Sequence, residues 1–249
     1  MTLPTYRADD DPGPSFLDVL RRAGGAPRWS DLPPGATPDI SHATTVVAVR
    51  FADGVVMAGD RRATSGNLIS HRSMEKVFPA DRHSGVAIAG AAGPAIEMVK
   101  LFQLQLEHYE KVEGAELSLE GKANQLAQMV RSHLPAALQG FVVVPLFAGF
   151  DVRRGVGRLF EYDVTGGRYE ESDFAATGSG SLHAGTVIKL GYRPELPRTD
   201  AVELVLNALF QAADEDSATG GPDLVRGIYP VIATITAEGF NRLPEPVLA

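Results

Sequence analysis

Four kinds of residue that could do chemistry together lie between positions 44 and 90. They are the hydroxyl Thr44, first of a doubled threonine with Thr45, the carboxylate Asp60 in "VVMAGDRRAT", the ammonium Lys76 in "MEKVF" and the small Gly90 in "AIAGAAG". The 249 residues include no cysteine, so a covalent reaction must draw on Ser, Thr, Lys or a carboxylate. If the chain is cut between Ala43 and Thr44, Thr44 gains a free α-amine beside its own hydroxyl. Such an amine has an unperturbed pKa of about 7.7–8.0 and is a usable base at neutral pH, where a lysine at about 10.4 is mostly protonated. One residue then supplies both nucleophile and base. In the uncut chain the amide nitrogen has no basic lone pair, and residues 1–43 act as a safety catch.

The other three residues fit that scheme. Lys76, among apolar neighbours on an expected strand, needs a carboxylate partner if it faces inwards, and Asp60 at the end of its own strand is the candidate. The pair, set near Thr44, would lower the pKa of the hydroxyl. Gly90 could turn its backbone amide towards a developing oxyanion, because small residues permit close approach. Each also has a plain structural reading: Asp60 as a turn carboxylate, Lys76 as a solvated strand residue, Gly90 as packing.

The elements that must position these residues begin at Thr45. Residues 1–43 hold seven of the 17 prolines and the single tryptophan, Trp29. That composition predicts an extended segment with at most one helical turn at "SFLDVLRR". It reads as a loose tail, a removable propeptide or a permanent binding arm. From Thr45 onward, "TVVAVRF" and "VVMAGD" predict a hairpin across "ADG", and "SGVAIAGA" a further strand. Pro94 suits the first turn of a helix whose inner face is Ala95, Val99, Phe102, Leu106 and Tyr109. A second helix is expected around "KANQLAQMVRSHL", then strands in "FVVVPLFAGFDV" and "GRLFEYDVTGG". "FAATGSGS" leads into a helix near 181–191, and another helix, capped by Thr199, runs towards Asp214. "IYPVIATITAEG" gives a last strand and turn. This order does not alternate as βαβ units do. It predicts an α+β fold, a four-layer αββα sandwich of two antiparallel sheets flanked by helices, with a single domain over 44–249.

Several function classes are excluded by what is missing. A net charge of −8 argues against a surface built to neutralise nucleic acid or anionic lipid. No window is long and apolar enough to span a membrane, and the acidic N-terminus is unlike a signal peptide, so a cytoplasmic protein is expected. The six histidines lack zinc-ligand spacing. "TGSGSLHAG" misses the dinucleotide fingerprint, no P-loop is present and no G-x-S-x-G elbow presents a serine. No metal and no cofactor are implied.

Taken together, "TT" opening a strand, "GDRRAT", "EKVF", "IAGAAG", "GSGS" and "DSATGGPD" occur in the order seen in proteasome β-type subunits. The chain resembles that family over residues 44–243, and "EHYEKVEG" and "DSATGGPDLVRGIYP" resemble its 20S actinobacterial members most. The resemblance implies the N-terminal nucleophile hydrolase fold, a propeptide over 1–43, and a threonine endopeptidase with Thr44 as nucleophile and base. Asp60 and Lys76 become its charge-tuning partners and Gly90 the oxyanion amide. Ser179, Asp216 and Thr219 become supports of the amine, Thr219 standing where the family has serine. Ala63, Thr64, Met74, Ile88, Ala92 and Ile96 would line the pocket for the residue before the scissile bond and, being uncharged, predict an apolar preference.

Ala43 departs from the glycine usual at the family's cut site, so processing is expected to be slower. The implied partners are proteasome α subunits and other β subunits in an α7β7β7α7 barrel, with a ring-shaped ATPase and a ubiquitin-like protein tag delivering substrates. Two alternatives stand beside this reading. One is the smaller two-component bacterial protease of the same fold, disfavoured because it carries "GDGQ" where this chain has "GDRRAT". The other is a catalytically silent β-type subunit that retains its leader as a ring scaffold.

Overall fold

A computed structural model describes residues 44–244; the leader, with the turn expected at "SFLDVLRR", Trp29 and Ala43, lies outside the described residues. The chain begins with a hairpin of β1 (Thr45–Phe51) and β2 (Gly54–Gly59), turning at Ala52 and Asp53 as the "ADG" signal predicts. Both strands are near-continuous apolar runs because both faces are covered: every residue of β2 is buried. A short hairpin, β3 (Ala63–Ser65) and β4 (Leu68–His71), stands apart from the two main sheets. Strands β5 (Val77–Asp81), β6 (Ser84–Gly90), β7 (Val143–Asp151), β8 (Val156–Tyr162) and β9 (Arg168–Glu171) form one antiparallel sheet in that order. β10 (Phe174–Gly178), β11 (Val231–Thr236) and β12 (Gly239–Arg242) join the first hairpin in a second sheet of order β10-β1-β2-β11-β12.

The two sheets face each other across small and branched side chains. Val46, Ala48, Val55 and Met57 of the β10-β1-β2-β11-β12 sheet meet Ala87, Ala89, Leu146, Ala148 and Leu159 of the β5–β9 sheet. Helices α1 (Ala92–Glu113) and α2 (Leu119–Ala137) cover the outer face of the β5–β9 sheet. There Phe147 stands edge-on to Phe102 at 5.8 Å and stacks on Phe160 at 6.0 Å, while the Tyr162 hydroxyl donates to the Ala123 carbonyl at 2.9 Å. Helices α3 (Ser181–Gly191) and α4 (Arg198–Glu215) cover the other sheet, through Ala184, Ile188, Val205, Ala208 and Ala212 against Val47, Val56 and Ile232. The result is the four-layer αββα sandwich that the element order predicts.

Three local expectations are corrected. Thr199 does not cap α4: the helix starts at Arg198 after Pro197, so Thr199 is already helical and its hydroxyl donates to the Asp200 carboxylate at 3.2 Å. Tyr109 is exposed, because residues 107–116 run beyond any covering layer, and Met98 is buried on the inner face instead. The chain also does not end its folded part on one strand and a turn, since β12 pairs back onto β11.

Candidate active site

Three strand ends meet at Thr44. Thr45 is paired with Gly178 at the end of β10, and Val46 with Gly59 at the end of β2, so the residues following those strands flank the start of β1. The Ser179 amide donates to the Thr44 carbonyl at 2.8 Å, and the Asp60 amide to the Thr45 carbonyl at 3.1 Å. Gly178 has a φ of +101°, and a Cβ there would collide with the Thr44 carbonyl oxygen. Thr44 is thereby fixed, 4 % exposed, at the rim between the sheets.

Asp60 is fully buried and its carboxylate is a hub. Oδ1 accepts from Lys76 Nζ at 2.6 Å and from the Thr45 amide at 2.9 Å; Oδ2 accepts from the Gly220 amide at 2.8 Å and the Arg62 amide at 2.9 Å. Four donors offset the loss of solvation that a buried carboxylate suffers. Lys76 is equally buried and gives a second hydrogen bond to the Arg62 carbonyl at 2.5 Å. It does not lie within a strand as expected but immediately before β5, anchored because its carbonyl accepts from the Ile88 amide of β6 at 2.9 Å. Burial pushes the Lys76 ammonium below the ordinary lysine pKa, against the pull of the Asp60 carboxylate.

Ser179, Asp216 and Thr219 also come together. Asp216 Oδ2 accepts from Ser179 Oγ at 2.5 Å and from Thr219 Oγ1 at 2.6 Å, and Oδ1 from the Ala218 amide at 3.1 Å. Burial acts to raise the Asp216 pKa, but the Ser179, Thr219 and Ala218 hydrogen bonds and the nearby His183 outweigh it and hold it below the ordinary aspartate value. Gly90 closes β6 with a φ of +113°, where a Cβ would collide with the Val142 carbonyl oxygen. Only glycine fits that bend.

The six expected pocket residues come from separate segments. Ala63 and Thr64 lie on β3, Met74 precedes β5, Ala92 and Ile96 open α1, and these five are half-buried. Ile88 differs: at 2 % exposure it belongs to the core with Val86 and Phe102, so it can form only the floor of a concavity. Sequence reasoning missed four contributors to the site, namely Thr45, Arg62, Gly180 and Gly220, all of which bond to it through backbone groups. The doubled threonine and the glycine pairs were the available signals, but a backbone donor has no residue type of its own.

Residues 40–225 match the family described as Proteasome subunit. A protein named Proteasome subunit beta from Acidimicrobium ferrooxidans is 58 % identical over 247 residues, covering 98 % of this chain and 90 % of its own. Proteins of the same name from Streptomyces griseus and Jonesia denitrificans are 59 % and 53 % identical, over 93 % and 96 % of this chain and 83 % and 80 % of theirs. On a match spanning most of its length and the four-layer sandwich that carries Thr44, this chain belongs to the proteasome subunit family as a β-type member.

Proposed function

We propose that this chain is the proteolytic subunit of a 20S proteasome core and works as a threonine endopeptidase through Thr44, freed by removal of residues 1–43. The observation that carries this reading is the buried Lys76–Asp60 pair bonded directly to the amide of the residue after Thr44. A lysine charge held there without solvent lowers the pKa of a neighbouring hydroxyl, and a buried ion pair of this kind is weak evidence for a purely stabilising role.

In the proposed reaction the Thr44 α-amine takes the hydroxyl proton as Oγ1 bonds to the substrate carbonyl carbon. The developing oxyanion is met by the Gly90 amide. The amine then returns the proton to the leaving nitrogen as the C–N bond breaks, leaving an ester on Thr44. Water, deprotonated by the same amine, hydrolyses that ester and restores the hydroxyl. Ser179, Asp216 and Thr219 hold the network beside the amine. By family likeness the chain assembles with α subunits and other β subunits in an α7β7β7α7 barrel in the cytoplasm, fed by a ring ATPase and a ubiquitin-like tag. Among the described residues no helix is long and apolar enough to cross a membrane.

The test is the intact mass of the chain in a particle assembled with its α partner. Loss of residues 1–43 supports the reading. A full-length chain in an assembled particle refutes it and favours the silent scaffold, with Ala43 as the block. Specificity is read separately. Ala63, Thr64, Met74, Ile88, Ala92 and Ile96 offer no charge, so a fluorogenic peptide library should show apolar residues preferred before the cut by about tenfold over acidic or basic ones, the scale set by placing a charge in an apolar pocket. A preference for charged residues removes these six from the pocket.

A further inference from the structure

Two carboxylates stand on either side of the start of β1, and one residue touches the surroundings of both. Thr45 is fully buried, gives its amide to Asp60 Oδ1 at 2.9 Å, and has its hydroxyl 2.6 Å from Thr219 Oγ1. We propose that Thr45 is a positioning residue that couples the Asp60–Lys76 pair to the Asp216 network and thereby sets the rate of the reaction at Thr44. This rests on the threonine peptidase reading above.

The direction of the hydrogen bonds follows from counting protons. Thr219 has a single hydroxyl proton and gives it to Asp216 Oδ2 at 2.6 Å. The 2.6 Å contact between the two threonines therefore needs the proton of Thr45, which donates to Thr219. The Thr45 oxygen in turn accepts from the Gly180 amide at 2.9 Å. One ordered chain runs from the Gly180 amide through Thr45 and Thr219 to Asp216. Ser179 gives its own proton to the same Asp216 oxygen, and its amide holds the Thr44 carbonyl. The chain thus closes a loop around Thr44, from Asp60 through Thr45 to Asp216 and back through Ser179.

The fold makes room for this loop at a cost in side chain. A Cβ on Gly180 would come 2.5 Å from Thr45 Oγ1 and 2.7 Å from Thr219 Oγ1, so the glycine in "GSGS" is there to let two hydroxyls meet. The amide of Thr45 shares Asp60 Oδ1 with Lys76 Nζ, which means that a tilt of Thr45 moves the oxygen that holds the lysine. A valine at position 45 keeps the shape and the amide but removes the proton donor, leaving the Gly180 amide and a Thr219 lone pair unsatisfied in a dry interior. A serine keeps the donor.

The experiment uses the assembled, matured particle and measures kcat per particle and KM on one fluorogenic peptide. Thr45→Val should lower kcat by about ten- to hundredfold, the range for leaving buried polar groups unpaired, with KM changed by less than about threefold. Thr45→Ser should stay within about threefold of the parent. Thr219→Val should lose a similar factor, and the double variant Thr45→Val/Thr219→Val should lose no more than the larger single loss, because both break one chain. If Thr45→Val does not assemble, Thr219→Val compared with Thr219→Ser reads the same bond from its other end. Parent-like kcat in Thr45→Val, or losses that multiply in the double variant, would overturn the coupling. Thr44→Ala run beside them separates the two ideas: hydrolysis by that variant defeats the peptidase reading itself, whatever Thr45 does.

Discussion

Thr44→Ala should assemble, keep its leader and hydrolyse peptides at no more than about 10⁻⁴ of the parent rate, the scale seen when the nucleophile of a covalent hydrolase is removed. The fold should survive the change. Backbone groups hold this residue in place: the Thr44 carbonyl takes the Ser179 amide, and the next amide goes to Asp60. Alanine removes a hydroxyl and a methyl from a 4 % exposed position, which costs on the order of 1 kcal/mol and not a domain. Two readouts are expected to fall together because one oxygen is asked to do two attacks, first on the carbonyl of Ala43 and then on substrates. Thr44→Ser keeps the oxygen and should recover both in part. A Thr44→Ala particle that still sheds residues 1–43 would place the cut in another hand, and one that still turns over peptides would place the nucleophile elsewhere.

How much of this was legible in the sequence depends on whether a residue announces itself by type. The hairpin over "TVVAVRF" and "VVMAGD" and the helix at Ser181–Gly191 were read directly, because β-branched runs and a Gly-Ser entry are strong local signals. Asp60 and Lys76 were found because a buried charge demands a partner. Thr199 and Tyr109 were misassigned for the converse reason: each fits its local rule, and only the exact start of α4 or the end of the layer over α1 denies it the role. The hairpin β3–β4 was not anticipated, since its strand β4 is wholly exposed and carries no alternation to see. Thr45 was passed over as the neighbour of the interesting threonine. Its importance lies in a 2.6 Å contact across 174 residues of chain, which no local pattern encodes.

Lys76→Met should reduce peptide turnover by about 10²- to 10⁴-fold while the particle still assembles. Methionine keeps the unbranched stem in the space the lysine fills and removes only the charge, so the packing around Val77 and Gly59 is preserved. Breaking a buried ion pair ordinarily costs about 3–5 kcal/mol because the remaining charge is stranded. Here Asp60 keeps the amides of Thr45, Arg62 and Gly220, so the loss of stability should fall at or below the low end of that range. Stability and activity therefore part company in this variant, which is what marks a charge kept for chemistry. The pH dependence points the same way. The Lys76 pKa is lowered on folding, so the folded chain binds its proton less tightly than the unfolded one. Its contribution to stability is unfavourable at low pH and improves as pH rises from the folded pKa towards the ordinary lysine value. Lys76→Met should flatten that rise in a denaturation series on the alkaline side, measured against the parent. Lys76→Arg should not rescue turnover, since the planar guanidinium does not fit the lysine's place between the Asp60 carboxylate and the Arg62 carbonyl. Full turnover in Lys76→Met would remove the lysine from the chemistry and leave it as a strut beneath β5.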